Sequence, residues 1–128
     1  MSLIAVGLNH MTAPLELREK LAIPARDVSG SLERLTHDAG LSEVMLLSTC
    51  NRVEVYGVPQ TSDPERIIKT LAAMRGEGPS QFEWHYFARG GQQAVRHIFR
   101  VSASLESMVI GEPQILGQIK DAFRVARE

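Results

Sequence analysis

The chain has 128 residues, 44% hydrophobic and 23% charged, with a formal net charge of −1 and one cysteine. That is enough for one domain with its own core, and the near-neutral balance argues against a general polyanion-binding surface. A lone cysteine excludes an internal disulfide, the four histidines (His10, His37, His85, His97) lack metal-ligand spacing, and no apolar run reaches the length of a membrane span.

Of the 14 basic residues, 11 are Arg, a bias that favours bidentate contacts with anions over diffuse attraction. The start, "MSLIAVGLNH", has no basic leader, and Gly7 and Asn9 break its apolar run. It does not read as a signal peptide, so a cytoplasmic address is expected.

Residues 3–9 form a short β-type run ending at Asn9 and His10. The following "TAP" predicts a turn into a short helix, "LELREKLAI", which stops before Pro24. In "ARDVSGSLERLTHDAG", Val28, Leu32, Leu35 and Ala39 recur at helical spacing, and Gly40 stands where a C-terminal cap belongs. Residues 42–49 and 52–58 read as strands separated by Cys50 and Asn51, which predicts an antiparallel hairpin. Val53, Val55 and Gly57 then face one way, and Glu54 and Tyr56 the other.

"TSDPERIIKTLAAMRG" puts Pro64 at the first helical turn and Gly76 at the end, the signals of a helix. Residues 82–90 fit either a fourth strand or an irregular segment. From Gly91 the period is helical, with Val95, Ile98 and Phe99 on one side. A second helix restarts at Pro113, with Ile115, Ile119 and Phe123 four apart. Its pattern is still running at residue 128, so a continuing chain is expected. The order predicts an α+β fold: an antiparallel sheet of about four strands packed with helices, followed by a helical appendage.

A free cysteine is usually a small buried hydrophobe. Cys50 departs from that pattern. It falls at a hairpin bend, between polar Thr49 and Asn51, with the fixed charge of Arg52 two residues on. A nearby cation favours the thiolate, which is the nucleophile, and a bend gives access. His97 is the natural acid–base partner. Its plainer reading is a histidine at the core edge, near Ile98 and Val101, with a satisfied hydrogen bond. In "SLESMVIGEPQILGQ" (104–118), Ser104, Ser107, Glu112, Gln114 and Gln118 crowd around a break at Gly111. A helix starting at Pro113 aims free N–H groups at what precedes it, which suits an anion. The plainer reading is a solvated inter-helix turn.

Three stretches, "GLNHMTAPLELRE", "LSTCNRVEVY" and "LESMVIGEPQILGQIKDAF", carry a resemblance in order and spacing. From Ile4 to Phe123 the chain resembles the glutamyl-tRNA reductases. The resemblance implies that residues 1–128 are the catalytic, glutamyl-tRNA-binding domain. Cys50 would be the nucleophile that opens the ester of Glu-tRNA(Glu) to a thioester. NADPH would then reduce that thioester to glutamate-1-semialdehyde, opening tetrapyrrole (porphyrin) synthesis. His97 is implied in activity. Thr49, Asn51, Arg52, Ser107, Glu112, Pro113, Gln114 and Gln118 are implied in substrate binding. Ser104 stands where the family usually has Gly, and Met11 where a basic residue is common.

No GxGxxG follows a strand, and the Gly90–Gly91 pair lacks that context. The family's NADPH-binding and dimerisation domains are therefore expected beyond this chain, with a homodimer and the downstream glutamate-1-semialdehyde aminomutase as partners of the whole protein. Alone, the chain is expected to form the thioester, lose it to water, and reduce nothing. The competing readings are a non-catalytic RNA- or protein-binding module with a structural thiol, and a redox thiol protein. The first lacks the aromatic surface motif of single-strand RNA readers, and the second lacks a resolving cysteine.

Overall fold

Alternating residues write this fold, because its sheet is buried on both faces. The computed structural model describes residues 3–60 and 63–107. Its elements run β1 (Ile4–Asn9), α1 (Leu15–Leu21), a 3-10 turn (Ala25–Asp27), α2 (Val28–Asp38), β2 (Leu41–Ser48), β3 (Arg52–Pro59), α3 (Pro64–Met74), a second 3-10 turn (Pro79–Phe82), β4 (Phe87–Gly90) and α4 (Gln92–Ser107). The four strands form one antiparallel sheet in the order β2-β3-β1-β4. This is the α+β class expected. The helix expected from Pro113, and with it the appendage, lies outside the described residues.

One face of the sheet presents Ile4, Val6, Leu8, Val44, Leu46, Val53 and Val55 to Leu35 of α2 and to Ile67, Ile68 and Leu71 of α3. Each such fully buried side chain contributes about 1.5–3 kcal/mol. The opposite face carries Ala5, Leu47, Tyr56 and Phe87, which Ala94 and Val101 of α4 cover. The helix ends follow their signals. Asp63 caps α3 by accepting from Glu65 N–H at 3.1 Å, and Gly40 after α2 takes φ 68°, where a side chain would be strained.

Two expectations need correction, and one open alternative is resolved. The hairpin connection is Thr49–Cys50–Asn51, because Thr49 leaves the ladder to cap the bend with its hydroxyl. Only Phe87–Gly90 of the 82–90 stretch is strand, and Trp84 is 86% exposed. On α4, Val95 and Phe99 face outward, with Phe99 70% exposed, while Ala94 and Val101 face the sheet. One residue turns a helix by about 100°, so this small shift in the assigned face exchanges buried for exposed. Among the described residues no helix is long and apolar enough to cross a membrane.

The register places Gly7 of β1 between Glu54 of β3 and Phe87 of β4. A Cβ at Gly7 would run into the Val53 carbonyl oxygen and lie 2.7 Å from Glu54 Cα. Strand β1 can lie this close to β3 only because residue 7 has no side chain.

Candidate active site

Asn9 ends β1 opposite Arg52, the first residue of β3. The first turn and the Cys50 loop therefore share one end of the sheet. Asn9 builds its turn locally: its Oδ1 accepts from Met11 N–H at 2.8 Å and Thr12 N–H at 3.1 Å, and its own N–H donates to Thr12 Oγ1 at 3.1 Å. His85 Nδ1 lies 3.3 Å from the Thr12 carbonyl oxygen and ties in the approach to β4.

Thr49 shapes the loop. Its N–H donates to the Arg52 carbonyl at 2.7 Å, and its hydroxyl accepts from the N–H groups of Asn51 and Arg52 at 3.1 and 3.0 Å. Both amides are thereby satisfied inside the bend. Cys50 stands exposed at its crest. Helix α1 flanks the loop. The chain leaving it donates from Ile23 N–H to Ser48 Oγ at 2.9 Å, and Arg18 NH1 donates to the Cys50 carbonyl oxygen at 3.1 Å and Asn51 Oδ1 at 3.3 Å.

From this loop β3 runs along the sheet, and its alternate residues Arg52, Glu54 and Tyr56 share the sheet face on which α4 packs. Glu54 is 0% exposed. Three donors surround its carboxylate. His97 Nε2 lies 2.7 Å from Oε1, Arg52 NH1 lies 3.4 Å from Oε1, and Tyr56 donates to Oε2 at 2.9 Å. A buried carboxylate without partners would be strongly destabilising, so its presence rests on this set. The His97 ring also packs on Phe87 at 4.6 Å between centroids, tilted 45°. His97 therefore touches Glu54 and Phe87, the residues paired with Gly7 on its two sides.

Burial, then the adjacent Glu54 carboxylate and the hydrogen bond to it, hold the Tyr56 phenol well above the usual tyrosine range, while Arg52 acts in the other direction. The folded chain thus keeps this proton where the unfolded chain releases it, near a pH of about 10. Above that pH the unfolded state binds fewer protons, so stability falls as pH rises. Tyr56→Phe should cost about 1–2 kcal/mol at neutral pH through the lost hydrogen bond. It should also flatten the alkaline slope. Urea midpoints from neutral pH to above the tyrosine range would test this, and parallel slopes for the two proteins would contradict it.

The structure gathers Thr49, Cys50 and Asn51 in one loop, with Arg52 next to it at the start of β3. It brings His97 to Arg52 through Glu54, not to Cys50 through a hydrogen bond of its own. Ser107 ends α4, but its side chain, together with Glu112, Pro113, Gln114 and Gln118, lies outside the described residues. Sequence reasoning missed Glu54, Tyr56 and Arg18 as members of the site. The alternation Arg52–Glu54–Tyr56 was the available signal, since three polar-capable residues on one strand face mark either solvent or a network. Gly90–Gly91 does stand between a strand and a helix, contrary to expectation. The strand is a four-residue antiparallel element, however, and no third glycine follows.

The model of the glutamyl-tRNA(Glu) reductase N-terminal domain matches residues 6–128. The chain belongs to that family. Over its whole length it is 49% identical to a glutamyl-tRNA reductase of Neisseria meningitidis serogroup C, of which it spans 30%. It is 47% identical over 126 residues to that of Aquifex aeolicus, covering 98% of this chain and 31% of the relative. A solved structure, a glutamyl-tRNA reductase from Methanopyrus kandleri, superposes with a TM-score of 0.67 at 34% identity, over 98% of this chain and 28% of that one. This glutamyl-tRNA reductase family domain thus spans under a third of the length of the relatives it matches.

Proposed function

We propose that this domain binds the glutamyl ester of tRNA(Glu) and transfers the glutamyl group to Cys50. The observation that carries this reading is the exposed thiol on a braced loop, with Arg52 next in strand and His97 reached through a shared buried carboxylate. The Cys50 thiolate adds to the ester carbonyl carbon. The bond to the ribose oxygen breaks, that oxygen takes a proton, and a thioester remains. With Glu54 accepting at Nε2, His97 offers Nδ1 for proton exchange with the leaving oxygen. The remaining guanidinium N–H groups of Arg52 suit the side-chain carboxylate of the glutamyl group, which distinguishes Glu from Gln. Thr49 and Asn51 frame the loop. Ser107, Glu112, Pro113, Gln114 and Gln118 are assigned to the same substrate through family membership.

Among the described residues no Gly-rich strand-to-helix turn suits NADPH, so the hydride step is assigned to a part of the protein outside them. For the whole protein we extend the reading to homodimerisation, to hand-over of its aldehyde to an aminomutase, and to a cytoplasmic address.

Incubation with tRNA(Glu) charged with labelled glutamate tests the reading. The wild-type chain should acquire base-labile label and Cys50→Ser none. Full labelling of Cys50→Ser would assign the nucleophile elsewhere. An unlabelled wild-type chain under thiol-preserving conditions would refute acyl transfer by this domain alone.

A further inference from the structure

We propose that Arg18 is a positioning residue that holds the Cys50 loop in the orientation acyl transfer requires. The inference rests on the assignment of Cys50 as nucleophile. Every other hydrogen bond of Thr49, Cys50 and Asn51 among the described residues is internal to the hairpin. Thr49 N–H meets the Arg52 carbonyl, and the Thr49 hydroxyl meets the amides of Asn51 and Arg52. Those bonds fix the shape of the bend. They do not fix where the bend points relative to the rest of the sheet end.

Arg18 supplies that missing constraint. It sits on α1, more than thirty positions away in sequence, and one nitrogen, NH1, reaches both the Cys50 carbonyl oxygen and Asn51 Oδ1. The helix is itself anchored, with Leu21 fully buried and Ile23 N–H bonded to Ser48 Oγ at the end of β2. The brace therefore runs from fixed structure on both sides. A carbonyl held from outside fixes the peptide plane that follows Cys50, and so restricts the backbone rotation that sets where the Cys50 side chain points. The commitment of Arg18 shows in a second nitrogen of the guanidinium. Its Nε is buried with no hydrogen-bond partner among the described residues. An arginine placed for solubility would turn outward and satisfy that donor in water. This one is turned inward, with Nε buried and NH1 on the loop. A lysine would bring one point charge on a flexible stem, and not a planar group with several fixed donors.

Two measurements on the 128-residue chain test this. The first is backbone 15N order parameters at Cys50 and Asn51, which need no substrate. They should stand near about 0.85 in the wild type and fall below about 0.6 in Arg18→Ala, with the rest of the sheet unchanged. The second is glutamyl transfer from the charged tRNA. Arg18→Ala should slow the single-turnover rate of label transfer at saturating charged tRNA about a hundredfold, with the half-saturating tRNA concentration within about threefold, because a misplaced nucleophile costs rate more than binding. Added guanidinium ion should restore part of that rate. If Arg18→Ala does not fold, Arg18→Gln takes its place. Unchanged order parameters overturn the brace whatever the rate does. A wild-type chain that never takes label overturns the role of Cys50 alone, and the order parameters still decide whether Arg18 holds the loop.

Discussion

Glu54→Ala should be the most damaging single substitution in the polar network, costing about 3–5 kcal/mol of stability. The reason is what it leaves behind. Arg52 would keep its charge in a site where its side chain is only 12% exposed, and its one ion-pair partner among the described residues would be gone. His97 and Tyr56 would lose their acceptor in the same step. Glu54→Gln separates charge from shape. The amide keeps the volume and one acceptor oxygen, but it turns donors toward some of the three donors that faced the carboxylate. Its stability loss should be smaller, about 1–3 kcal/mol. Its transfer rate to Cys50 should still fall about a hundredfold, since His97 and Arg52 both take their orientation from the carboxylate. Denaturant midpoints and glutamyl-transfer rates on the same preparations would check both figures. A Glu54→Gln protein with wild-type stability and wild-type rate would show that the carboxylate orients neither group.

Gly7→Ala should cost about 3 kcal/mol, at the upper end for an added methyl group, and lower Tm by about 10 °C. The clash is with backbone, the Val53 carbonyl and Glu54 Cα, which cannot swing aside as a side chain would. Relief requires β1 and β3 to separate at the point where Glu54 carries His97. Loss of transfer should therefore accompany loss of stability. Calorimetry of the variant decides. A Tm within about 2 °C of wild type would mean that β1 can move without disturbing its partner.

The parts of the fold that sequence made legible are those with local signals. Pro64 and Asp63 begin α3, Gly40 closes the turn after α2, and the alternation through residues 52–58 makes β3 a strand with Val53 and Val55 turned toward one core. Cys50 at a bend beside Arg52 was legible too, because a hairpin loop is a short-range object. What sequence could not supply is what lies above the second face of the sheet. Glu54 reads as an ordinary solvent-facing residue until α4 is known to cover it. The docking face of α4 was itself assigned one step off, because Val95 and Phe99 are more apolar than the Ala94 and His97 that meet the sheet. Arg18 shows the same limit. Its contact spans 32 positions to Cys50, and no periodicity within α1 announces it.

The register of β3 carries a further consequence. Arg52, Glu54 and Tyr56 owe their shared face to a repeat of two, so a slip of one position would deliver Val53 and Val55 to α4 and drive the ionic residues into the aliphatic layer. No intermediate arrangement exists, since pairing shifts in whole residues. A mispaired chain would be silent, not merely sluggish. Reactivity toward the glutamyl ester would then double as a folding assay, reporting with one chemical readout that β1 and β3 have found their single correct alignment.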